Sequence, residues 1–477
     1  MHYKKQKPCP VPSRSRVSSR ASGVARFAML RLLLLSLSLS LSLLLLPLPS
    51  ALTGASAGMA GVAGVASAPP ASVEEGLTEL DGLFSGLLPW LERVYDPVSG
   101  GFYESVGLRE GREDRAYGPD IQSTHMAISL LSENRALQSL PRQVLDGFAH
   151  YFRSRQDPQT GFFSDPDYPE MKNSPRIMGR ALSFSRASLR RFGIAPLYPY
   201  PGAKTIEQPP PSALVPAPVP APALASAPAP ASATSRPARK SVSAPAATTP
   251  AHLASVEAFR AWLDKRPWHF AWTAIDEIQS QTTLILLLEP ALRDALVDEA
   301  LRSVSSRQDP ETGLIKNGGT DIVRISGAFK LVLFCKDMKR PVPRVEKLRD
   351  AVLAWFRSGP ETDRIFFIRN AVDVLSELTV LTGRKLAPDE LLLVLRVALV
   401  ELGRFRCADG AFSSMAGAYY ITPNDLYLGE RRIAKAGPQS NVNGTTMAWR
   451  ARQQLYRLAA GRNAPPLAVP ADFRLVR

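Results

Sequence analysis

RQDPQTGFFSDP, at residues 155–166, is one copy of a short sequence that recurs along this chain. Its Asp-Pro and Thr-Gly elements return in RQDPETGLIKNGG, which begins at Arg307. Related forms are YDPVSGGFYES from Tyr95, GPETD from Gly359 and RCADGAFSS from Arg406. Each copy stands between two helical patterns, so the recurring sequence predicts one helical hairpin unit that is used repeatedly.

The spacing of the copies predicts how many units there are. Asp309, Pro360 and Asp409 follow one another at steps of about fifty residues, which is the length of a helix-pair repeat. The longer interval before Asp309 contains a low-complexity stretch and one further unit, for which KRPW at residues 265–268 is the candidate turn. We therefore expect about six helical hairpins.

Two kinds of helical pattern alternate between the turns. Amphipathic patterns with one apolar stripe predict outer helices, and these patterns begin near Val73, Pro141, Val256, Pro290, Arg344 and Pro388. Patterns that are apolar nearly all round predict buried inner helices, and these begin near Asp120, Asn173, Trp268, Asp321, Asp363 and Asn441. The Asp and Asn residues at these starts are typical of N-caps. The predicted fold is all-α, an α/α toroid of paired outer and inner helices.

The first unit resembles a known repeat. GGFYES at residues 100–105, followed by DIQSTHMAISLL at 120–131, is similar to the repeat of terpenoid cyclases and protein prenyltransferase β subunits. In that repeat a glycine-rich turn ending in an aromatic residue precedes an inner helix of the T-x-x-A-x-x-x-L type. The resemblance extends over most of residues 73–458 and implies the α/α toroid fold, which polysaccharide lyases and glycoside hydrolases also use. It implies no activity, because one fold hosts many functions.

The activities of those relatives require residues that this chain lacks. It has no acidic D-x-D-D cluster of the kind found in class-II cyclases and no thioester motif G-C-G-E-Q. It also has no plausible pair of Cys and His on the matching inner helices for the zinc of the prenyltransferases. We therefore expect no cofactor and no metal.

Residues 1–57 have the organisation of a secretory signal peptide. A basic flank precedes the apolar run 32–46, and Ala55-Ser56-Ala57 resembles a cleavage site. The run is shorter than the roughly twenty residues that span a bilayer. An uncleaved N-terminal membrane anchor is the alternative, and Met29 is an alternative start. In both cases the folded part is expected outside the cytoplasm, either secreted or periplasmic.

Residues 208–251 consist almost entirely of Pro, Ala, Ser, Thr and Val, a composition typical of disordered segments. Helical patterns continue on both sides of this segment. We therefore interpret it as an insertion in one toroid, whose two parts are residues 73–207 and 252–460. Two separate domains joined by a linker are the alternative.

Charge and cysteine content narrow the range of partners. The net charge is +15, but much of it lies in residues 1–57, so the weakly basic remainder needs no nucleic-acid partner. Cys335 and Cys407 are expected to be buried thiols, with a disulfide as the alternative.

Parallel inner helices would bring their N-termini to one end of a central cavity, where free amides and helix dipoles favour an anion. The arginines expected near this rim match carboxylate, sulfate or phosphate groups, and they are Arg176, Arg180, Arg324 and Arg369. Asp120 and Asp321 are expected at the same rim as further binding residues. The alternative is that the arginines pair with rim acids such as Asp321 and Asp363.

His125 and His269 are the histidines on predicted inner helices, and a histidine in a cleft can act as a general base. In a lyase of uronate-containing polysaccharides, Asn443 would neutralise the carboxylate, His125 would take the proton, and Tyr419 or Tyr420 would be the acid. Hydrolysis would need two carboxylates, drawn from Asp120, Asp276, Glu277 and Asp321. The alternative is that the histidines are hydrogen-bonded structural groups.

Loops before the inner helices are rich in aromatic residues. Tyr117, Tyr168 and Tyr427 are candidates for stacking on sugar rings, together with Tyr419 and Tyr420. The aromatic residues that follow each turn glycine are expected to pack between hairpins, and they are Phe102, Phe162 and Phe412. The loop 412–439 is longer than a hairpin needs, and long ordered loops are usually functional.

These patterns predict an exported protein that binds or cleaves an acidic polysaccharide, with β-elimination favoured over hydrolysis. The expected partner is an anionic glycan or another small anionic ligand. One alternative is a non-catalytic module that binds a glycan of the cell envelope. Another is an isoprenoid-processing protein similar to the cyclases, which would require an apolar cavity without arginine.

Overall fold

The described residues are mostly helical, which confirms the all-α prediction. The structure is a computed structural model and describes residues 69–112, 117–203, 205–210, 249–416 and 439–475. These residues belong to one unit, Val62–Arg477. The signal sequence, nearly all of the 208–251 insertion, and Tyr419, Tyr420 and Tyr427 lie outside the described residues.

The helices in chain order are α1 Val73–Gly82, α2 Leu87–Val94, α3 Val106–Arg109, α4 Ile121–Glu133, α5 Arg142–Arg153, α6 Pro175–Arg191, α7 Val256–Asp264, α8 Ala271–Gln279, α9 Thr282–Leu286, α10 Pro290–Ser305, α11 Asp321–Asp337, α12 Val345–Arg357, α13 Ile365–Thr382, α14 Pro388–Phe405 and α15 Val442–Ala460. Strands β1 Tyr95–Asp96 and β2 Gly101–Phe102 pair antiparallel. Short 3₁₀ helices lie at Ala136–Ser139, Pro169–Asn173 and Ala251–Leu253. Within the described ranges, no helix combines the length and apolar character needed to cross a membrane.

The outer helices begin within a residue of the predicted positions. Proline starts α10 at Pro290 and α14 at Pro388, because its fixed φ suits the first turn and its missing N–H costs no hydrogen bond there. The amphipathic pattern from Val73 is divided into α1 and α2. At the break, a Cβ on Gly86 would lie 2.6 Å from the Cα of Gly410, so the close approach of these two turns requires glycine.

The inner helices also begin where the patterns predict, but not all with the predicted caps. Asp120 caps α4 by accepting from Ser123 N at 2.9 Å, and Asn441 caps α15 by accepting from Gly444 N at 2.7 Å. The prediction is wrong at three helices. Ser174 rather than Asn173 caps α6. At α11 and α13 the cap positions are Thr320 and Arg364, and neither side chain makes a capping hydrogen bond.

The recurring sequence forms the same tight turn in both full copies. In the first copy the Asp157 carboxylate accepts hydrogen bonds from two following backbone N–H groups at 2.8 and 3.0 Å, and Gly161 has φ +72°. In the second copy Asp309 accepts two such bonds at 2.9 and 3.0 Å, and Gly313 has φ +70°. Both copies therefore have an aspartate that closes the turn and a glycine that can adopt the left-handed backbone conformation.

The threonine of the T-x-x-A pattern has a structural role. Thr124 Oγ1 accepts from Phe102 N at 2.9 Å in the first unit, and Thr445 Oγ1 accepts from Phe412 N at 3.1 Å in the last. Phe102 and Phe412 are fully buried, as predicted for residues that pack between hairpins, whereas Phe162 is half-buried and the neighbouring Phe163 is buried in its place. Each turn is thereby fixed to the inner helix that follows it.

Replacing Gly161 with alanine should lower the free energy of unfolding by roughly 3 kcal/mol, because positive φ costs a side chain about 1–2 kcal/mol and overpacking adds a similar amount. The new Cβ would overlap the carbonyl oxygen of Pro199. Gly359→Ala is the matched control, since Gly359 has φ +65° and open space around it, and it should cost about 1 kcal/mol. Urea denaturation measures both variants, and equal losses would show that the overlap is relieved without cost.

The inner helices contact one another in succession. Helix α4 packs on α6, α6 on α9, α8 on α11, α11 on α13, and α13 on α15. Helix α15 packs in turn on α4 and on α1. Of the outer helices, α7 packs on α10, α12 on α14, and α14 on α1.

An ion pair between a buried arginine and a partly exposed aspartate joins the first and last of the described helices. Arg452 Nε lies 2.8 Å from Asp81 Oδ1, and Tyr456 donates its hydroxyl to Asp81 Oδ2 at 2.7 Å. The Arg452 side chain is 1% exposed and packs against the rings of Phe84 and Trp449. We call these residues the α1–α15 clamp.

Cys335 and Cys407 are free thiols, Cys335 buried and Cys407 half-buried. Burial raises the pKa of both thiols to about 12, so neither carries the thiolate that disulfide exchange requires.

Candidate functional site

A cavity of about 160 Å³ lies among helices α4, α6, α8, α9, α11, α13 and α15, and we call it the central cavity. Its cationic lining residues come from different helices: Arg180 from α6, Lys330 from α11, Arg369 from α13 and Arg450 from α15. Asp337 is the acidic residue of this lining. The cavity is therefore predominantly positive.

On one side of the central cavity, ion pairs of Asp276 connect α8 to α6 and α11. This buried residue of α8 forms ion pairs with Lys330 at 2.6 Å and with Arg176 at 3.0 Å. Burial opposes its ionisation, but the charges of Lys330, Arg180 and Arg176 hold the pKa of Asp276 well below its usual range. The carboxylate of Asp276 is thus ionised, and its oxygens are held in ion pairs with Lys330 and Arg176.

The other side of the cavity carries an uncompensated charge. Arg369 pairs with Asp373 at 2.6 Å, one turn along α13. Burial, together with the positive charge of Arg450, lowers the pKa of Arg369 to about 10. Within the part of the chain that the structure describes, Arg450 forms no hydrogen bond and no ion pair.

A second pocket, of about 270 Å³, lies at the N-terminal ends of α6, α8 and α13, and we call it the rim pocket. Its lining includes Arg176, Arg266, Arg364, Trp262 and Trp272. The Arg266 guanidinium pairs with Glu277 and lies 4.1 Å from the ring centroid of Trp262. Since Asp276 also lines this pocket, the ion pairs of Asp276 separate the rim pocket from the central cavity.

The structure brings three of the predicted arginines to these sites. Arg176 lines the rim pocket, and Arg180 and Arg369 line the central cavity. Arg324 instead donates to Ile315 O of the preceding turn at 2.9 Å and pairs with Asp321 at 3.0 Å within the first turn of α11, as the alternative interpretation expected.

Lys330 and Arg450 were missed by the sequence reasoning. Lys330 stands in SGAFKLVLF and Arg450 in TTMAWRAR, and each is a cation on a mostly buried helix. A cation in such a setting needs a counter-charge, which is a signal that could have identified both residues.

The predicted histidine bases do not share a site. His125 is buried, its Nδ1 lies 2.9 Å from Ser188 Oγ, and its ring stacks on Phe184. Burial and the charges of Arg191 and Arg450 lower the pKa of His125 to about 3, so it is neutral at pH 7. His269 lies just before α8 and is exposed.

Asn443 and Asp120 belong to a buried network between α4 and α15. The backbone N–H of Asn443 donates to Glu104 Oε1 at 3.0 Å. Ser123 Oγ lies 2.5 Å from Asp120 Oδ2 and is also hydrogen-bonded to Glu104 Oε2. Burial and the negative charge of Asp165 raise the pKa of Asp120 to about 7.

Tyr117 and Tyr168 do not present open faces. Their rings stack on each other with centroids 4.9 Å apart, and they are 2% and 0% exposed. Neither ring is therefore accessible to a sugar in this structure. Trp262 and Trp272 are aromatic residues of the rim pocket, and the Trp262 ring is covered by Arg266 and stacks on His252.

Comparisons with known proteins assign neither a family nor a function to this chain. A scan against protein-family models and a search of curated proteins both give no match to this chain. Among the described residues, no group of three or more His, Cys, Asp or Glu side chains is arranged to hold a metal ion. The functional argument therefore rests on the two pockets.

Proposed function

We propose that this protein is an exported α/α toroid that binds an acidic glycan, with an anionic group of the ligand in the central cavity. The succession of helix contacts from α4 through α15 and back to α4 supports a closed ring of inner helices. The resemblance of the repeats to those of terpenoid cyclases and protein prenyltransferase β subunits supports the same ring. Export rests on the organisation of residues 1–57.

The observation that carries this function is Arg450. It lines the central cavity, has no acidic partner among the described residues, and faces the charge of Arg369. A partly buried cation beside another cation is unfavourable unless an anion compensates it. An anionic group in the cavity would supply that compensation, and guanidinium groups match such oxyanions with paired hydrogen bonds.

The rim pocket suits the sugar part of such a ligand. Trp272 offers an apolar ring beside Arg176 and Arg364, whereas the Trp262 ring is covered by Arg266 and His252. The Trp272 ring is held by Phe366, whose centroid is 4.7 Å away.

Binding is favoured over cleavage by the state of the candidate catalytic groups. His125 is buried and hydrogen-bonded to Ser188, so it does not support the base of a β-elimination. Asp276 and Glu277 are held in ion pairs with Lys330 and Arg266, so they do not support the acid of a hydrolysis. These contacts favour the non-catalytic glycan-binding alternative. The arginines of the cavity disfavour an isoprenoid ligand.

Arg450→Gln should weaken the binding of oligogalacturonate by roughly 10- to 100-fold, because a charge-assisted hydrogen bond contributes about 1.5–3 kcal/mol. Isothermal titration calorimetry of the wild type and the variant measures this loss. Arg462→Gln is the control, since Arg462 is exposed beyond the end of α15 and its loss changes the net charge equally. Equal affinities of wild type and Arg450→Gln would contradict the proposal, and an unsaturated sugar product would favour cleavage.

A further inference from the structure

A third pocket, of about 310 Å³, lies beside the rim pocket, and we call it the side pocket. Its volume is at the lower end of the roughly 300–1,000 Å³ of sites that enclose small ligands. The lining of the side pocket is mostly apolar, whereas that of the rim pocket is mostly polar. Its apolar side chains come from separate segments of the chain, and they are Phe162, Pro175, Met178, Pro250 and Leu284.

The polar groups of the side pocket do not make it a second anion site. The Asp157 carboxylate closes its own turn by accepting hydrogen bonds from two following backbone N–H groups at 2.8 and 3.0 Å. His252 Nε2 lies 3.1 Å from Gln281 Oε1, and burial lowers the pKa of His252, so its ring is neutral at pH 7. Lys172, the other charged residue of this lining, is exposed. The side pocket therefore offers mainly an apolar surface.

The side pocket and the rim pocket adjoin. Pro175 and Gln281 line both of them. The His252 ring of the side pocket also stacks on Trp262, which lines the rim pocket, with ring centroids 4.9 Å apart. A ligand whose sugar occupies the rim pocket can therefore extend a substituent into the side pocket.

The two pockets together match a ligand with two chemically different parts. A free uronate would occupy the rim pocket and leave the apolar lining of the side pocket in contact with water. A purely apolar molecule would fill the side pocket without any interaction with the arginines of the rim pocket. Each methylene group that is buried raises the affinity by up to about fourfold. A charged sugar with an apolar chain gains from both pockets.

We propose that the side pocket binds an aliphatic chain attached to the acidic sugar, so that the ligand is an acidic glycolipid. This inference rests on the proposed function and narrows its ligand class. The sugar lies in the rim pocket against Trp272, and the chain passes Pro175 and Gln281. In the side pocket the chain contacts Met178 of α6 and Leu284 of α9.

The test compares methyl glucuronide, hexyl glucuronide and hexyl glucoside by calorimetric titration of the full chain, below the micellar concentration of the hexyl compounds. We expect hexyl glucuronide to bind at least tenfold more tightly than methyl glucuronide, because its longer chain buries further methylene groups. Hexyl glucoside carries no charge and should bind at least tenfold more weakly than hexyl glucuronide.

Two variants make the result specific to the side pocket. Met178→Gln places a polar group in the pocket and should lower the ratio of hexyl to methyl glucuronide affinity to less than about threefold, because a buried amide opposes the chain. Leu381→Gln is the control, since Leu381 is an exposed apolar residue near the C-terminal end of α13, whereas the rim pocket lies at its N-terminal end. The control should keep the ratio of the wild type. A tenfold ratio in a Met178→Gln variant whose melting temperature is unchanged would overturn the inference.

The other outcomes separate this inference from the proposed function. Equal affinities for hexyl and methyl glucuronide would overturn the glycolipid inference and leave the proposed function intact. A dependence on chain length that appears only after deletion of residues 211–248 would assign the side pocket to that segment, which ends two residues before Pro250, and would also overturn the inference. Equal affinities for hexyl glucuronide and hexyl glucoside would overturn the acidic ligand class. Absence of binding by all three compounds would overturn both proposals.

Discussion

Arg452→Ala is expected to lower the free energy of unfolding by about 3 kcal/mol, the low end of the cost of breaking a buried ion pair. Asp81, its partner, is one-third exposed, so water can rehydrate that carboxylate and reduce the loss. The variant also loses the packing of Arg452 on Phe84 and Trp449 and its hydrogen bond to Pro465 O at 3.0 Å. Equilibrium denaturation in urea measures the difference from the wild type.

Two further variants show how much of the loss comes from the charge of Arg452, from its packing and from the burial of the ion pair. Arg142→Ala removes an exposed ion pair with Asp146 and should cost less than about 0.5 kcal/mol. Arg452→Met keeps most of the packing and loses the charge. Its loss of unfolding free energy therefore measures the contribution of the ion pair, and the difference from Arg452→Ala measures the contribution of packing. If Arg452→Ala costs no more than Arg142→Ala, the α1–α15 clamp does not contribute to stability.

The second large effect is a pH dependence that Asp120→Asn should remove. The pKa of Asp120 rises from 3.8 to about 7 in the folded protein, because of burial and then of the charge of Asp165. The folded state therefore binds this proton more tightly than the unfolded state. Its contribution to stability is full below about pH 4 and is lost as the pH rises through 7. Between pH 5 and pH 8 the loss amounts to roughly 2–3 kcal/mol.

Asparagine cannot ionise, and its side-chain oxygen can still cap α4 by accepting from Ser123 N. Unfolding free energies of the wild type and of Asp120→Asn at pH 5 and pH 8 isolate the contribution of this group. Asp309→Asn is the control, because backbone hydrogen bonds lower the pKa of Asp309, which is already ionised across this range. If the unfolding free energies of the wild type and of Asp120→Asn change with pH in parallel, the pKa of Asp120 is not raised in the folded protein.

Helix starts were predictable because the information for them is local. Pro290 and Pro388 begin their helices through their own backbone geometry, and the repeated Asp157 and Asp309 close turns within a few residues of themselves. The division between α1 and α2 was not predictable. It accompanies the contact of Gly86 with Gly410, which are far apart in the sequence.

The candidate site was predictable only in part for the same reason. Arg176, Arg180 and Arg369 could be selected because arginines near inner-helix starts were expected at the cavity. Arg324 has the same sequence context, but only the structure shows that it bonds to Ile315 O in the turn before its helix. Arg450 is a candidate binding residue because its charge lies near that of Arg369 on another helix. No sequence pattern within either helix predicts that the two residues are close.

The α1–α15 clamp has a consequence for how this fold can evolve. In an open array of repeats each unit contacts only its neighbours, so units at the ends can fray, be lost or be duplicated. Here Glu104 of the first unit accepts hydrogen bonds from Val442 N and Asn443 N of the last unit, in addition to the bond between Arg452 and Asp81. Adding or deleting one hairpin would misalign all of these partners at once. We therefore expect these contacts to disfavour the gain or loss of a hairpin between them, whereas an insertion in a loop would leave them in place.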